Sequence, residues 1–304
     1  MTVRLAFNVD HERPIPEPPP PRADPDLLDG LDVPTKRILG VPDLMHHKYV
    51  VRDGQDVWTG STNWTDDSWS REENVIAVVH SPELSERYTA DFEQLWKTGI
   101  VAESGFVEPN PVRIGEAKAR AWFSPGHGEE LATRIAHRIA RAKKRIRVCS
   151  PVVTSGPILG ALAEKVSDGK VEVSGVVDGT QMKGVYHQWE LNGNSEWKMP
   201  AVARVFQQAG FTGKNSMPYG QGDVHDFMHA KAVVTDDYIF TGSYNLSHSG
   251  EENAENVLEV QDAGLAAIQR GAMQPGLDAV PASLDADHAH ARIVEKRVEQ
   301  PHRV

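Results

Sequence analysis

Two stretches of the chain place a histidine, a lysine and an aspartate at the spacing H-x-K-x-x-x-x-D: His46, Lys48 and Asp53, and again His229, Lys231 and Asp236. Each is followed by Thr-Gly-Ser-x-Asn, Thr59 to Asn63 and Thr241 to Asn245, and then by a Glu-Asn pair, Glu73-Asn74 and Glu255-Asn256. The offset between copies is 183 residues at the histidines and 182 from the Gly-Ser step onward, so one residue is lost between them. A repeat at fixed offset means two copies of one structural unit. These residue types suit chemistry at a phosphodiester. One histidine can attack phosphorus and divide a difficult cleavage into two easier displacements. A second, protonated, can give its proton to the leaving oxygen and later take one from water or an alcohol. An ordinary pKa near 6.5 fits imidazole to either task. The tasks need opposite protonation states, so the two histidines must face each other across one phosphate. Lys48 and Lys231 would hold the non-bridging oxygens as point charges, with Asn63 and Asn245 as amide donors beside them.

Supporting residues follow from what a histidine needs, an acceptor on its second ring nitrogen that fixes tautomer and orientation. Glu73 and Glu255 repeat in register and are the candidates. Ser61 and Ser243 belong to the repeated Gly-Ser step. Asp53 and Asp236 lie at the far ends of their strands, where they would bond backbone or basic groups away from the phosphate. His47 points to the face opposite His46 on a strand and is left out of the site. His225, Asp226 and His248 flank the second motif, as polar loop or as cleft lining. No carboxylate-histidine cluster offers itself to a metal, and the chemistry calls for no cofactor.

The paired motifs resemble those of the phospholipase D superfamily, whose members carry two H-x-K-x(4)-D signatures, and Gly60-Ser61-Thr62-Asn63 and Gly242-Ser243-Tyr244-Asn245 match the family's Gly-Ser-x-Asn extension. The resemblance covers roughly residues 1 to 265. It implies two phospholipase D-like α/β/α repeats, with mixed sheets packed about a pseudo-twofold axis and the site at their interface. It also implies that each glutamate reaches the histidine of the opposite half, pairing Glu73 with His229 and Glu255 with His46. His46 is then the nucleophile and His229 the general acid and base. It does not fix the substrate.

Composition sets further bounds. The 304 residues suit one large domain or two ordinary ones. No apolar run approaches the roughly 18 residues that cross a bilayer. Lysine and arginine number 32 against 43 acids, a net charge of −11, which argues against a general nucleic-acid binder without excluding a small basic cleft. Cys149 is the only cysteine, so there is no intrachain disulfide and no cysteine-based zinc site.

The second repeat reads as a complete α/β unit. Arg120–Phe123 and Ile146–Cys149 are strands, Glu129–Lys144 an amphipathic helix with Leu131, Ile135 and Ile139 on one face, and Ile158, Leu159 and Leu162 mark another helix. Val171–Asp178 is a strand, and Asp178 to Asp223 reads as long and irregular. The basic run Arg138, Arg141, Lys143, Lys144, Arg145 reads as a helix C-terminus complementing its dipole. Tyr186 to Trp189 and Trp197 to Met199 suit core packing or an apolar or stacking lip equally. In the first repeat only two residues precede Val3–Asp10, which resembles Val171–Asp178; at least fifty precede the later copy from Arg120 onward. The expectation is a first repeat without its opening strands and helix, as a fragment, a misassigned start or a naturally short form. A prolyl run from Arg13 to Arg22 reads as a stiff connection. Leu84, Tyr88, Phe92 and Leu95 recur at helical spacing and close the first half. The domains read as 1–105 and 106–270, the two repeats, and 271–304, a polar, loosely packed tail.

The reading is an enzyme, a phosphodiesterase of the phospholipase D type. It hydrolyses, or transfers at, a phosphodiester through a phosphohistidine, without metal or cofactor, as a pseudo-dimeric single chain. A phospholipid is the favoured substrate and a nuclease on DNA or RNA the alternative. A truncated, inactive or binding-only chain is a reading from another class. The sequence shows no signal peptide; cytoplasmic is the default location, with secretion open.

Overall fold

The computed structural model describes residues 2–9, 25–193, 195–217, 226–272 and 291–296; the prolyl run and His225 lie outside them. The first half contains β1 (Leu5–Val9), α1 (Pro25–Asp29), β2 (Thr35–Leu39), β3 (Tyr49–Arg52), β4 (Asp56–Gly60), α2 (Asp66–Ser70), β5 (Asn74–His80) and α3 (Pro82–Thr98). The second contains β6 (Val112–Ile114), β7 (Ala117–Ser124), α4 (Gly128–Arg141), β8 (Arg145–Ser150), α5 (Gly156–Asp168), β9 (Glu172–Asp178), α6 (Gly179–Asn192), α7 (Met199–Gln208), β10 (Gly210–Lys214), β11 (Ala232–Val234), β12 (Tyr238–Gly242), α8 (His248–Glu252), β13 (Glu255–Gln261) and α9 (Ala263–Ala272). A last strand, β14, spans Ala291–Lys296.

The second half folds as one mixed sheet of eight strands in the order β10-β9-β8-β11-β12-β13-β7-β6. The apolar stripe of α4 drives its packing: Leu131, Ile135 and Ile139 are buried against Trp122, Ile146, Val148 and Phe240, with Leu159 and Leu162 of α5 in the same cluster. The segment after Asp178, read from sequence as irregular, is instead helical in α6 and α7 and ends in β10. The apolar residues of α6 lack a clean helical stripe, which hid that helix, whereas α7 is short and buries Val202 and Val205 on one face. The chain's local chemistry still specifies α6: Asp178 caps it by accepting from the Gln181 amide, and Gly193 ends it in a left-handed conformation at φ 65°. In the same region Trp189 is buried in the core and Trp197 exposed.

The first half repeats this plan in part. β1 pairs with β2 in parallel, as β9 does with β10, and β3, β4 and β5 run antiparallel like β11, β12 and β13. Among the described residues there is no counterpart of α4, β8 and α5, and the β1–β2 pair stands apart from the β14-β5-β4-β3 sheet. β14 pairs antiparallel with β5 on the edge where β7 pairs with β13. Part of the expected polar tail is therefore a strand; the β-branched pair Ile293-Val294 suits that role.

The halves meet in one continuous core. Val57, Val75, Ala77 and Val79 of the first sheet, with Leu84 and Tyr88 of α3, pack with Ala121, Phe123, Ala232, Val234 and Leu258 of the second. Two isolated parallel bridges, Met45 with Ala254 and Glu73 with Met228, stitch each motif to the opposite half.

Candidate active site

The first motif does not lie within a strand at its histidine. His46 sits just ahead of β3, its amide donating to the Ala254 carbonyl at 2.9 Å; the amide of His229 donates to the Glu73 carbonyl at 3.0 Å. Each histidine backbone is thus held by the partner half, and the pseudo-twofold relation brings both rings, Lys48 and Lys231 close enough to feel one another's charge. Lys48 Nζ donates to the His46 carbonyl at 2.9 Å and Lys231 Nζ to that of His229 at 2.8 Å, the same local loop built twice. Asn63 and Asn245 follow the Gly-Ser turns and are half-buried, and the Oδ1 of Asn245 is buried without a partner among the described residues. Gly60 and Gly242 allow the turns because a Cβ at either would fall about 2 Å from the carbonyl of Val75 or Asn256. Ser61 and Ser243 then lock turn to strand, each Oγ accepting a strand amide, of Val75 and of Asn256, at 2.9 Å.

His46 Nδ1 lies 2.8 Å from both carboxylate oxygens of Glu255, which is fully buried. The other half departs from the expected pairing. Glu73 turns outward, its carboxylate on Lys214 at 2.8 Å, and only its backbone serves the site. His229 Nδ1 meets Asn74 Oδ1 at 3.2 Å and Glu72 Oε2 at 3.4 Å. The cause is a one-residue slip. Ser61 binds the amide fourteen positions on, and Ser243 binds the amide thirteen positions on. The residue that opens β5 is therefore Asn74, where Glu255 opens β13. Glu72 was not singled out in the sequence, because Glu73-Asn74 and Glu255-Asn256 match letter for letter and mask the slip.

Burial dominates the electrostatics. It pushes the His46 pKa down; Glu255 opposes that, and Lys48 and Lys231 add to it. His229 is driven well below its ordinary value by burial and then by Lys231, Lys48 and His46. Lys48 falls to about 8 through burial, against Glu255 and Glu72, and Lys231 falls well below its ordinary range through burial and Lys48. Burial raises the Glu255 carboxyl, but His46 and Lys48 outweigh it and the net shift is downward. Glu72 is raised, by burial first. Crowded positive charge from both halves, with its surplus held down by desolvation, is the field an anionic phosphate would relieve.

The remaining candidates have structural surroundings. Asp236 accepts the amides of Lys143, Lys144 and Arg145, fixing the turn into β8. Asp53 is exposed in the β3–β4 turn at φ 53°. His47 packs on Tyr49 and Phe123, its Nε2 3.0 Å from buried Asp91. Asp226 accepts from the Met217 amide, and His248 is exposed beside Glu251. In the basic run, Arg138 stacks its guanidinium on Tyr238 at 3.9 Å. Cys149 is buried. Among the described residues no helix is long and apolar enough to cross a membrane.

A family model described as cardiolipin synthase, PLD-like domain matches residues 28–96 and 135–272, most of the chain. Mitochondrial cardiolipin hydrolases of Xenopus laevis and Xenopus tropicalis are each 38% identical to it over 53 residues, 17% of this chain and 25% of the relative. The match thus spans a quarter of those relatives' length. Among solved structures, phosphatidylserine synthase of Haemophilus influenzae Rd KW20 superposes with a TM-score of 0.51 at 14% identity, over 75% of this chain and 60% of that one, a likeness of fold. NucT from Helicobacter pylori gives a TM-score of 0.40 at 18% identity, over 51% of this chain and 92% of that one.

Proposed function

The chain belongs to the phospholipase D-like family, and on that premise we propose that it cleaves a phospholipid phosphodiester through a phosphohistidine on His46. The observation that carries the reading is the crossed pairing: two histidines from two halves, each with Nδ1 engaged by a side chain from the opposite half. With Nδ1–H donated to Glu255 or Asn74, the lone pair of the neutral ring is on Nε2. In the first step Nε2 of His46 forms a bond to phosphorus as the bond to the leaving oxygen breaks, and that oxygen takes the proton from Nε2 of His229. In the second step neutral His229 removes a proton from water, the water oxygen attacks phosphorus, and the N–P bond to His46 breaks. Lys48, Lys231, Asn63 and Asn245 hold the non-bridging oxygens while charge builds on them.

The difference between the two Nδ1 partners supports this division of roles. The attacking ring gains positive charge as the N–P bond forms, so the full carboxylate of Glu255 belongs behind it. The acid ring loses its charge, so weaker support stands there, an amide oxygen at 3.2 Å with the Glu72 carboxylate at 3.4 Å. Burial favours the neutral form of both rings, and a phosphodiester anion beside them raises the His229 pKa and loads the acid.

A phospholipid is favoured over a polynucleotide because a net charge of −11 disfavours general association with a polyanion. The test is headgroup release from phosphatidylcholine micelles beside cleavage of single-stranded DNA, both in excess chelator. Headgroup release should persist with chelator, and His46→Ala should lower kcat by roughly a thousandfold or more. Cleavage of DNA without headgroup release would overturn the substrate. Activity lost to chelator and restored by one divalent ion would overturn the chemistry.

A further inference from the structure

We propose that Glu72, acting through Asn74 and Ser68, is the positioning residue for His229, and that the Glu73 side chain has no part in the reaction. The inference rests on the phosphodiester reading above and assigns the control of its acid-base histidine.

Asn74 and Glu255 hold equivalent places, each the first residue of its strand and each on the Nδ1 of the opposite half's histidine. Glu255 brings a charge to that contact at 2.8 Å, whereas Asn74 brings a neutral carboxamide at 3.2 Å. The negative charge on this side comes from the next carboxylate out, Glu72, 3.4 Å from the same nitrogen. Glu72 is 3% exposed and is held in place: Ser68 Oγ donates to Oε2 at 2.5 Å, and Asn74 Nδ2 reaches it at 3.4 Å. That same Ser68 oxygen accepts the backbone amide of Asn63 at 2.9 Å and Nδ2 of Asn74 at 3.1 Å. One hydroxyl thereby links the carboxylate, the amide on His229 and a residue of the phosphate clamp.

Among the described residues the second half has no such device. It carries Gly250 where the first carries Ser68, and Asn253-Ala254 ahead of Glu255 where the first carries Glu72-Glu73 ahead of Asn74. The site is thus symmetric in its histidines and lysines and asymmetric in what stands behind the rings. The groups that face His229 are Lys231, Lys48 and His46, all of which disfavour its cation, and the Ser61 backbone, which favours it; Glu72 and Asn74 stand at its Nδ1 and favour the cation by their placement. Glu72 in turn faces Lys231, Asp67, Ser68 and Asn74. A carboxylate set one amide back gives partial support: enough to keep a proton on His229 when substrate is bound, and less than the direct contact that Glu255 makes with His46.

The test compares Glu72→Gln, Glu73→Gln and Asn74→Asp in the full chain. kcat and KM are measured across pH with two phosphodiesters, one with an alkyl and one with a nitrophenyl leaving group, and the ring of His229 is titrated by NMR. Glu72→Gln should lower kcat on the alkyl substrate roughly tenfold or more with little change in KM, because a poor leaving group needs the acid. The alkaline limb should move to lower pH, since losing the carboxylate makes the His229 cation easier to deprotonate. The nitrophenyl substrate should be nearly indifferent, and Glu73→Gln should match the parent throughout. Asn74→Asp, alone or with Glu72→Gln, should move the alkaline limb and the NMR titration upward, because it gives His229 the direct carboxylate that His46 has. Equal loss on both leaving groups, or a shifted limb in Glu73→Gln, would overturn the assignment. The NMR titration separates the two claims. If no phosphodiester turns over, the functional reading fails, while the His229 shift still decides whether Glu72 controls the ring. If Glu72→Gln does not fold alone, Asn74→Asp is compared with the Asn74→Asp, Glu72→Gln double variant: the double variant should titrate lower at His229, and equal titrations would overturn the assignment.

Discussion

Desolvation of the two histidines sets how the protein answers acid. Burial keeps the folded-state pKa of His46 and His229 below the ordinary 6.5. As pH falls through that value the unfolded chain binds protons that the folded chain refuses, so stability must fall with pH from about 7 downward. Glu255 acts in the same direction lower in the scale. Its folded pKa lies below the ordinary carboxyl value, so its contribution is full above that value and is lost as pH falls through the folded one. Urea midpoints at pH 7.5 and 5.5 check this: the midpoint should be lower at 5.5, and the drop should shrink in His229→Gln. A midpoint independent of pH would contradict the burial. At this scale most of the site was legible in the sequence. The histidines, lysines, serines and asparagines recur as letters, and their types name the chemistry. Glu72 was hidden because an acceptor's identity depends on which residue opens the strand. A single extra residue between Ser61 and β5 changes that residue without disturbing the Glu-Asn text.

The elements show how differently the two halves cover equivalent strands. Counted from the Gly-Ser turns, Trp58 in β4 corresponds to Phe240 in β12. Phe240 is buried in the cluster built by α4 and α5. In β4 it is Val57, on the opposite face, that packs with Leu84 and Tyr88 of α3. Trp58 instead is half-buried and meets Trp64 and Trp69, and Trp64 is 65% exposed. Phe240→Ala should therefore cost about 3–5 kcal/mol in a denaturant titration, and Trp58→Ala less than about 2 kcal/mol, because the half-buried site leaves no closed cavity. Equal costs would show that the β4 face is as fully covered as that of β12. The legible elements were those whose apolar residues keep one period against one neighbour, such as Leu131, Ile135 and Ile139 in α4. The helices after Asp178 were not, since α6 buries only Met182 and Trp189 and its boundaries rest on a cap and a glycine. β14 was not legible either, because six residues of mixed character become a strand only when an open edge is offered by β5.

At the scale of the whole molecule, the repeat places the site where neither half alone could build it. The His46 ring is held by Glu255 and its backbone by Ala254, the His229 ring by Asn74 and Glu72 and its backbone by Glu73, so each half orients the other's histidine. The duplicated motif made this interface foreseeable, since two histidines with opposite tasks must face each other. The pairing of β14 with the edge of β5 was not foreseeable. The central claim is that the halves divide one reaction, with His46 bonded to phosphorus while His229 moves the proton. It is tested most directly by locating the covalent intermediate. His229→Ala and His46→Ala are each mixed with a nitrophenyl phosphodiester, whose leaving group needs no acid, then quenched in base to preserve phosphohistidine and mapped by peptide mass spectrometry. The account predicts an adduct on His46 in the His229→Ala protein and none in His46→Ala. An adduct on His229, or turnover in His46→Ala without any adduct, would contradict it.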